Sequence, residues 1–223
     1  MDRNEWINVL KERHGQRLQE TFWNSTVAIC GLGGLGSHIA VALARAGVGR
    51  LILIDFDRVE VSNLHRQQYK PNQIGQYKTE ALEANLQEIA PYIEVTPYHV
   101  YVTDECFHVE GDEHSLLLKV LNDADVICEA FDRPETKAML VNGVFETMPD
   151  KYLVAASGMA GLGSPNAIHT RRITKRWYLC GDEISDVTDD SSGLCGLLAP
   201  RVMLCAAHQA QTVLRILAGE LDV

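Results

Sequence analysis

Short, continuous apolar runs alternate along the chain with longer stretches of helical spacing. Thr26–Cys30, Arg50–Asp55, residues 125–128 and Tyr152–Ala156 are apolar on successive rather than alternate positions, the pattern of strands buried on both faces. Between them, residues 37–47 are small and helix-forming, residues 79–90 set Leu82, Leu86 and Ile89 on one face, and residues 134–146 read as a helix. Strand, turn, helix and strand within about 30 residues make a βαβ unit, which requires parallel pairing. Residues 94–101 alternate like a further strand, and 114–121 fit a short helix. Beyond Gly158, residues 166–173 and 176–179 read as two strands with no helix between them, hence antiparallel. Residues 201–218 form a long helix after Pro200, with Met203, Ala206, Ala210, Val213 and Leu217 expected inward. Residues 4–24 are expected to form one helix, with Trp6, Leu10 and Leu18 inward. The sum is an α/β, doubly wound, mostly parallel sheet with an antiparallel C-terminal extension. Residues 1–24 are an N-terminal helical segment and 25–223 a single domain.

Composition narrows the class. With 223 residues and 46% hydrophobic content, the chain is in the globular range. No apolar run approaches the ~20 residues of a membrane span, and the first 19 residues are too polar for a signal peptide, so a cytoplasmic placement is expected. The net charge of −10 argues against non-specific nucleic-acid binding, which needs clustered Lys and Arg. Half of that excess sits in one window: Asp182, Glu183, Asp186, Asp189 and Asp190 fall between Arg176 and Arg201, where no Lys or Arg occurs. The six cysteines form no C-x-x-C pair, so neither a zinc ribbon nor a dithiol redox motif is expected. Cys180 and Cys195 bracket the acidic window and are the two candidates for a reactive thiol.

The candidate chemistry begins after the first strand. Gly31-Leu-Gly33-Gly34-Leu-Gly36-Ser37 is a G-x-G-x-x-G turn between a strand and a helix. Glycines there allow a tight turn and close approach of phosphate to backbone N–H groups at a helix N-terminus; packing alone is the competing reading. Asp55 ends the next strand, 24 residues after Gly31, where a carboxylate accepts from ribose hydroxyls in Rossmann-like folds. That much would suit NAD. The next stretch, from Asp57 through Ser62, Asn63, Arg66 and Gln67 to Lys78, suits a nucleoside triphosphate better, since Arg66 and Lys78 can offset phosphate charge. Asp132 follows the strand at 125–128; it either caps the helix that opens at Pro134 or faces Mg²⁺ beside bound phosphates.

Together, G-L-G-G-L-G-S, D-F-D, S-N-L-x-R-Q, the G-Q-x-K of Gly75 to Lys78 and the later Asp132 resemble the ubiquitin-activating-enzyme-like family of ThiF, MoeB and HesA. The resemblance runs from Val27 to Gly219. The endings R-W-Y-L-C-G-D (176–182) and G-L-L-A-P-R (196–201) look most like short ThiF-type proteins that adenylate a sulfur carrier for thiamine thiazole synthesis. It implies an ATP-binding adenylation domain acting on the C-terminal carboxylate of a ThiS-like, Gly-Gly-ending carrier protein, and a homodimer. On this resemblance Gly31, Gly33, Gly34 and Gly36 approach ATP together with Asp57, and Asp55 takes the ribose. Asn63, Arg66, Gln67 and Lys78 face the phosphates, Asp132 holds Mg²⁺, and Arg66, Lys78 and Asp132 are catalytic. The acidic window would then lie in a crossover loop that covers the carrier tail.

The chain departs from the family in three places. It lacks the paired C-x-x-C motifs of zinc-binding relatives, so no zinc is expected. Where longer ThiF proteins carry a sulfur-handling cysteine this chain has Ser192, with Cys195 three residues on. The family's N-terminal arginine, which reaches the partner subunit's site, has only Arg13 and Arg17 as candidates. The alternatives are an ATP-dependent dehydratase of a modified tRNA adenosine, which calls for a basic surface, an NAD-dependent oxidoreductase, which Arg66 and Lys78 contradict, and a catalytically silent partner subunit.

Overall fold

The computed structural model describes residues 2–108, 114–187 and 196–222. Seven strands form one sheet in the order β3-β2-β1-β4-β5-β7-β6: β1 (Thr26–Cys30), β2 (Arg50–Asp55), β3 (Glu94–His99), β4 (Val126–Glu129), β5 (Tyr152–Ala156), β6 (His169–Arg172) and β7 (Trp177–Gly181). The expected α/β class, doubly wound and Rossmann-like, is what the chain adopts. Successive strand residues point to opposite faces, and both faces are covered. Ile29, Leu51, Leu53 and Val126 lie in one apolar cluster with Ile39, Leu43, Leu82 and Val213. Ala28, Ile52, Ile54 and Ile127 lie in a second with Phe107, Leu121, Leu140 and Val144. Two-sided burial is why the strands read as unbroken apolar runs.

The two C-terminal strands pair antiparallel as expected, β7 running parallel to β5 and carrying β6 on its outer edge. Other details differ from the expectation. Pro165–Ala167 is a 3₁₀ turn rather than part of a strand. The N-terminal segment is two helices, α1 (Arg3–His14) and α2 (Gln16–Trp23), because Gly15 adopts φ 90° and its N–H closes α1 onto Lys11 O. The inward residues of α2 are Phe22 and Gln19, whose Nε2 donates to Gly47 O at 3.1 Å, while Leu18 is only half-buried.

The last difference concerns the long C-terminal helix. The remaining helices are α3 (Gly34–Ala46), α4 (Lys78–Ile89), α5 (Glu105–His108), α6 (His114–Asn122), α7 (Pro134–Thr147) and α8 (Ala199–Leu217). On α8 the buried stripe runs through Val202, Cys205, Ala206, Gln209, Ala210 and Val213, and Met203 is 47% exposed. The stripe is turned by about one position, and Arg201 at its start is buried in an ion pair with Asp182. No helix among the described residues is long and apolar enough to cross a membrane.

Candidate functional site

The sheet order changes direction at β1, whose neighbours β2 and β4 are reached by crossovers running opposite ways. In open α/β sheets the crevice at the carboxyl end of such a strand receives ligands. The glycine turn lies there, and its four glycines are not equivalent. Gly31 adopts φ +91°, and a Cβ on it would stand 2.7 Å from Ala130 O. A Cβ on Gly36 would stand 1.8 Å from Gly31 O, and one on Gly34 2.8 Å from Val202 Cγ1. Packing accounts for these three. Gly33 is different: the nearest atom to its added Cβ would be Gln67 Nε2 at 3.7 Å, so space is open, while its φ −73° and ψ −145° lie outside the regions that other residues favour. Gly36→Ala is therefore expected to cost at least 3 kcal/mol of stability in denaturant titrations, roughly the upper range of overpacking. Gly33→Ala should cost less than Gly36→Ala, about 1–2 kcal/mol of backbone strain, and in addition weaken nucleotide binding, measured by calorimetry.

Leu32, between these glycines, is held at both ends of its backbone. Its N–H donates to Asp55 Oδ2 at 2.6 Å, and its carbonyl accepts from the Tyr69 hydroxyl at 2.8 Å. Asp55 is buried, and its other oxygen accepts the Asp57 N–H at 2.8 Å. Burial pushes its carboxyl above the ordinary range, with Lys78 and the two backbone donors opposing. Lys78 opens α4, also buried; its Nζ lies 2.7 Å from Asp57 Oδ2 and its N–H donates to Asp57 O. Tyr69 was not among the residues singled out from the sequence. A tyrosine two residues after R-Q could have suggested a buried ring with a polar tip seeking a partner.

The polar segment after β2 places its three candidates in different states. Asn63 is buried, with Oδ1 accepting the Glu60 N–H at 3.0 Å, and it closes the 3₁₀ turn Val61–Asn63. Its side chain shapes the turn that presents Arg66. Arg66 donates through Nη1 to Ser62 O at 3.0 Å, while its Nε is buried with no partner. Gln67 is 8% exposed and its Oε1 also lacks a partner. Both residues adjoin the glycine turn: Gln67 Nε2 is the nearest atom to an added Gly33 Cβ, and Arg66 Cγ lies 3.7 Å from one on Gly34.

Across the crevice, Asp132 is exposed after the end of β4. Arg133, not Asp132, occupies the N-cap of α7, and no side chain caps that helix, so the capping alternative does not hold. Behind it lies a pair that the sequence did not reveal. Glu129 is 1% exposed; its Oε1 accepts the Phe131 N–H at 2.8 Å, and Lys137 Nζ bridges both of its oxygens at 3.0 and 2.9 Å and Ala156 O at 3.1 Å. These bonds tie together the ends of β4 and β5 and fix the loop that carries Asp132.

The acidic window is partly structural. Asp182 is 4% exposed and paired with Arg201, and its Oδ1 accepts from Ile184 N, Ser185 N and Ser185 Oγ at 2.9–3.0 Å. Glu183 accepts from Arg171 Nε at 2.8 Å. Cys180 is buried, and burial pushes its thiol up to about 11 despite bonds from Thr170 and Thr212, so it is protonated at neutral pH and unsuited to attack. Cys195, Ser192, Asp189 and Asp190 lie outside the described residues. Arg13 and Arg17 are exposed on α1 and α2.

Comparison with known proteins agrees with this architecture. The family model described as ThiF family matches residues 7–223. The molybdopterin-synthase adenylyltransferase of Escherichia coli (strain K12) is 30% identical over 205 residues, covering 90% of this chain and 76% of that protein. The tRNA threonylcarbamoyladenosine dehydratase of Bacillus subtilis (strain 168) is 39% identical over 115 residues, 51% of this chain, and the match spans 44% of that protein. Among solved structures, the E. coli tRNA N6-threonylcarbamoyladenosine dehydratase in complex with ATP superimposes with a TM-score of 0.80 at 20% identity, covering 96% of this chain and 94% of that one.

Proposed function

The chain belongs to the ThiF family, and from that premise we propose that it is an ATP-dependent adenylyltransferase for a small, ThiS-like carrier protein ending in Gly-Gly. The carrier's terminal carboxylate oxygen attacks the α-phosphorus of ATP, the bond to the β-phosphate oxygen breaks, and pyrophosphate leaves with an acyl-adenylate behind. The observation that carries this reading is the set of unsatisfied groups at the switch point. Arg66, whose Nε has no partner, lies against the glycine turn at Gly34, and the open face of Gly33 meets Gln67 Nε2; with the Lys78 ammonium at the start of α4 these donors suit a polyphosphate.

In this reading Gly33 admits the phosphates. Arg66 stabilises the charge that develops on the α-phosphate and on departing pyrophosphate. Lys78 neutralises phosphate charge, passing from Asp57 to the nucleotide. Asp55 fixes the loop through Leu32 and keeps lone pairs for the ribose hydroxyls. The residues suit Mg²⁺ of the kind that nucleotides carry. Among the described residues no group of three or more His, Cys, Asp or Glu could cage a metal, whereas Mg²⁺ on phosphates needs only one or two carboxylates and water. Asp132, exposed and uncapped, supplies one.

The test is ATP–pyrophosphate exchange with and without a Gly-Gly-ending carrier; exchange that never depends on any carrier tried would overturn the reading. Asp132→Asn should raise the Mg²⁺ concentration for half-maximal exchange by about tenfold, on the scale of losing a metal-supporting group. An unchanged Mg²⁺ dependence would remove Asp132 from that role. The dehydratase reading is favoured by the similarity to the B. subtilis and E. coli dehydratases. It predicts ATP hydrolysis stimulated by a modified tRNA instead of a carrier, and the net charge of −10 weighs against it. Thiamine thiazole synthesis as the pathway, and a homodimer as the assembly, belong to the same proposal and are read by carrier identity and sedimentation.

A further inference from the structure

Helix α3 carries a polar side chain with no part in the roles above. His38 is half-buried between α3 and the segment that holds Arg66 and Gln67. One ring nitrogen, Nε2, lies 3.2 Å from the Arg66 carbonyl oxygen, and Nδ1 lies 2.8 Å from Gln68 Nε2. A carbonyl can only accept and an amide nitrogen can only donate, so this arrangement requires a neutral ring with its proton on Nε2. The neighbouring Ser37 works on the same segment: its Oγ accepts the Gln68 N–H at 3.2 Å and donates to Gly33 O at 2.7 Å. Asn85 Nδ2 holds the Gln68 carbonyl at 2.8 Å. The stretch from Arg66 to Tyr69 is thus bonded at several peptides, and among the described residues the bond to the Arg66 carbonyl comes from His38.

We propose that His38 is a positioning residue for Arg66. As the neutral Nε2–H tautomer it fixes the Arg66 peptide, and with it the direction in which the guanidinium leaves the backbone toward the nucleotide. Protonation of the ring keeps the Nε2–H bond but breaks the second tie, to the Gln68 side chain, that fixes the ring against this segment. The proposal rests on the adenylyltransferase reading, since it matters only if Arg66 acts on phosphate.

The chemistry supplies the sign. A protonated ring has two donors, so Nδ1–H would face the Gln68 amide nitrogen and Gln68 would have to turn over. The new cation would also stand half-buried against the segment that carries Arg66 and His65, where burial disfavours charge. No carboxylate among the described residues bonds to His38. Burial accordingly pushes its pKa below the ordinary 6.5, the bond to the Arg66 carbonyl opposing only in part. The neutral form therefore prevails at neutral pH, and the tie to Gln68 is lost only as pH falls through the lowered pKa of the ring, below 6.5.

The experiment compares the pH profile of carrier-dependent exchange for the parent, His38→Ala, His38→Gln, His65→Gln and Arg66→Ala, with long-range ¹H–¹⁵N spectra of the parent's imidazoles. His38→Ala should lower kcat about tenfold, the scale of a small misalignment, with less change in KM for ATP. In His38→Gln the amide can donate to the same carbonyl without titrating, so it should recover most of kcat and lack the acid limb that the parent and His65→Gln share. The spectra should show His38 neutral and protonated on Nε2 at pH 7. Parent-like kcat in His38→Ala, an acid limb that persists in His38→Gln or vanishes in His65→Gln, or an Nδ1–H tautomer would each overturn the inference. Full activity of Arg66→Ala would instead overturn the reading beneath it.

Discussion

Arg66→Ala should reduce carrier-dependent ATP–pyrophosphate exchange by roughly 10²–10³-fold, the scale of losing one donor aimed at developing charge, while leaving the melting temperature close to that of the parent. The two halves of this expectation come from one observation. Among the described residues the guanidinium donates to Ser62 O and approaches His65, and its Nε has no partner, so little native bonding is lost with the side chain. Arg66→Lys should recover only a small part of the rate, because an ammonium keeps the charge but not the planar fork of donors. Lys78→Met is expected to behave differently. Lys78 is buried and is the cation nearest Asp57, while Asp55 lies close by with its own carboxyl buried; removing it should cost both exchange and stability. Asp57→Asn in the Lys78→Met background should return part of the stability and none of the exchange. Exchange within threefold of the parent for Arg66→Ala would remove it from the phosphate site.

What the sequence disclosed and what it hid separate along a physical line. The parallel strands were legible because burial on both faces leaves unbroken apolar runs, and the glycine turn because strand, turn and helix fall within one local unit. Asp55 was legible as an acid at a strand end, though not as a brace for Leu32. The features that stayed hidden are contacts between distant positions. Tyr69 meets Leu32 across 37 residues, His38 meets Arg66 across 28, and Arg201 meets Asp182 across 19. No local periodicity encodes such pairs. Met203 belongs with these: helical spacing gives an apolar stripe, but which positions face the sheet depends on what packs against α8 from distant parts of the chain, and Met203 lies outside. Gly15 was overlooked for a local reason, since the flanking residues are good helix formers and only its φ of 90° divides them.

Arg201→Leu is expected to destabilise the protein by about 3–5 kcal/mol, the cost of leaving a buried charge without its partner. The two C-terminal motifs, ending in Asp182 and in Arg201, are the halves of one buried ion pair with side chains 4% and 6% exposed. Arg201 also donates through Nη1 to Gly163 O at 2.7 Å and Ser164 O at 2.9 Å. Losing it therefore frees the loop after β5 as well as stranding Asp182. Burial alone would raise the Asp182 carboxyl, but the donors from Ser185, Ile184 and Arg201 outweigh it and hold the group below its ordinary 3.8. A carboxylate with a lowered folded pKa contributes stability that is full above the unfolded value and is lost as pH falls through the folded one. The parent should thus keep this contribution down to about pH 4, and the variant should begin acid unfolding at higher pH. Equilibrium denaturation across pH 3–7 reads both effects. Together with Gly196 O, which accepts the Gly161 N–H at 2.8 Å, the ion pair fixes both ends of the acidic crossover. If that crossover covers a bound carrier tail, Arg201→Leu should lose carrier-dependent exchange at denaturant concentrations where the sheet is still folded. Coincident loss of exchange and fold would instead confine the pair to stability.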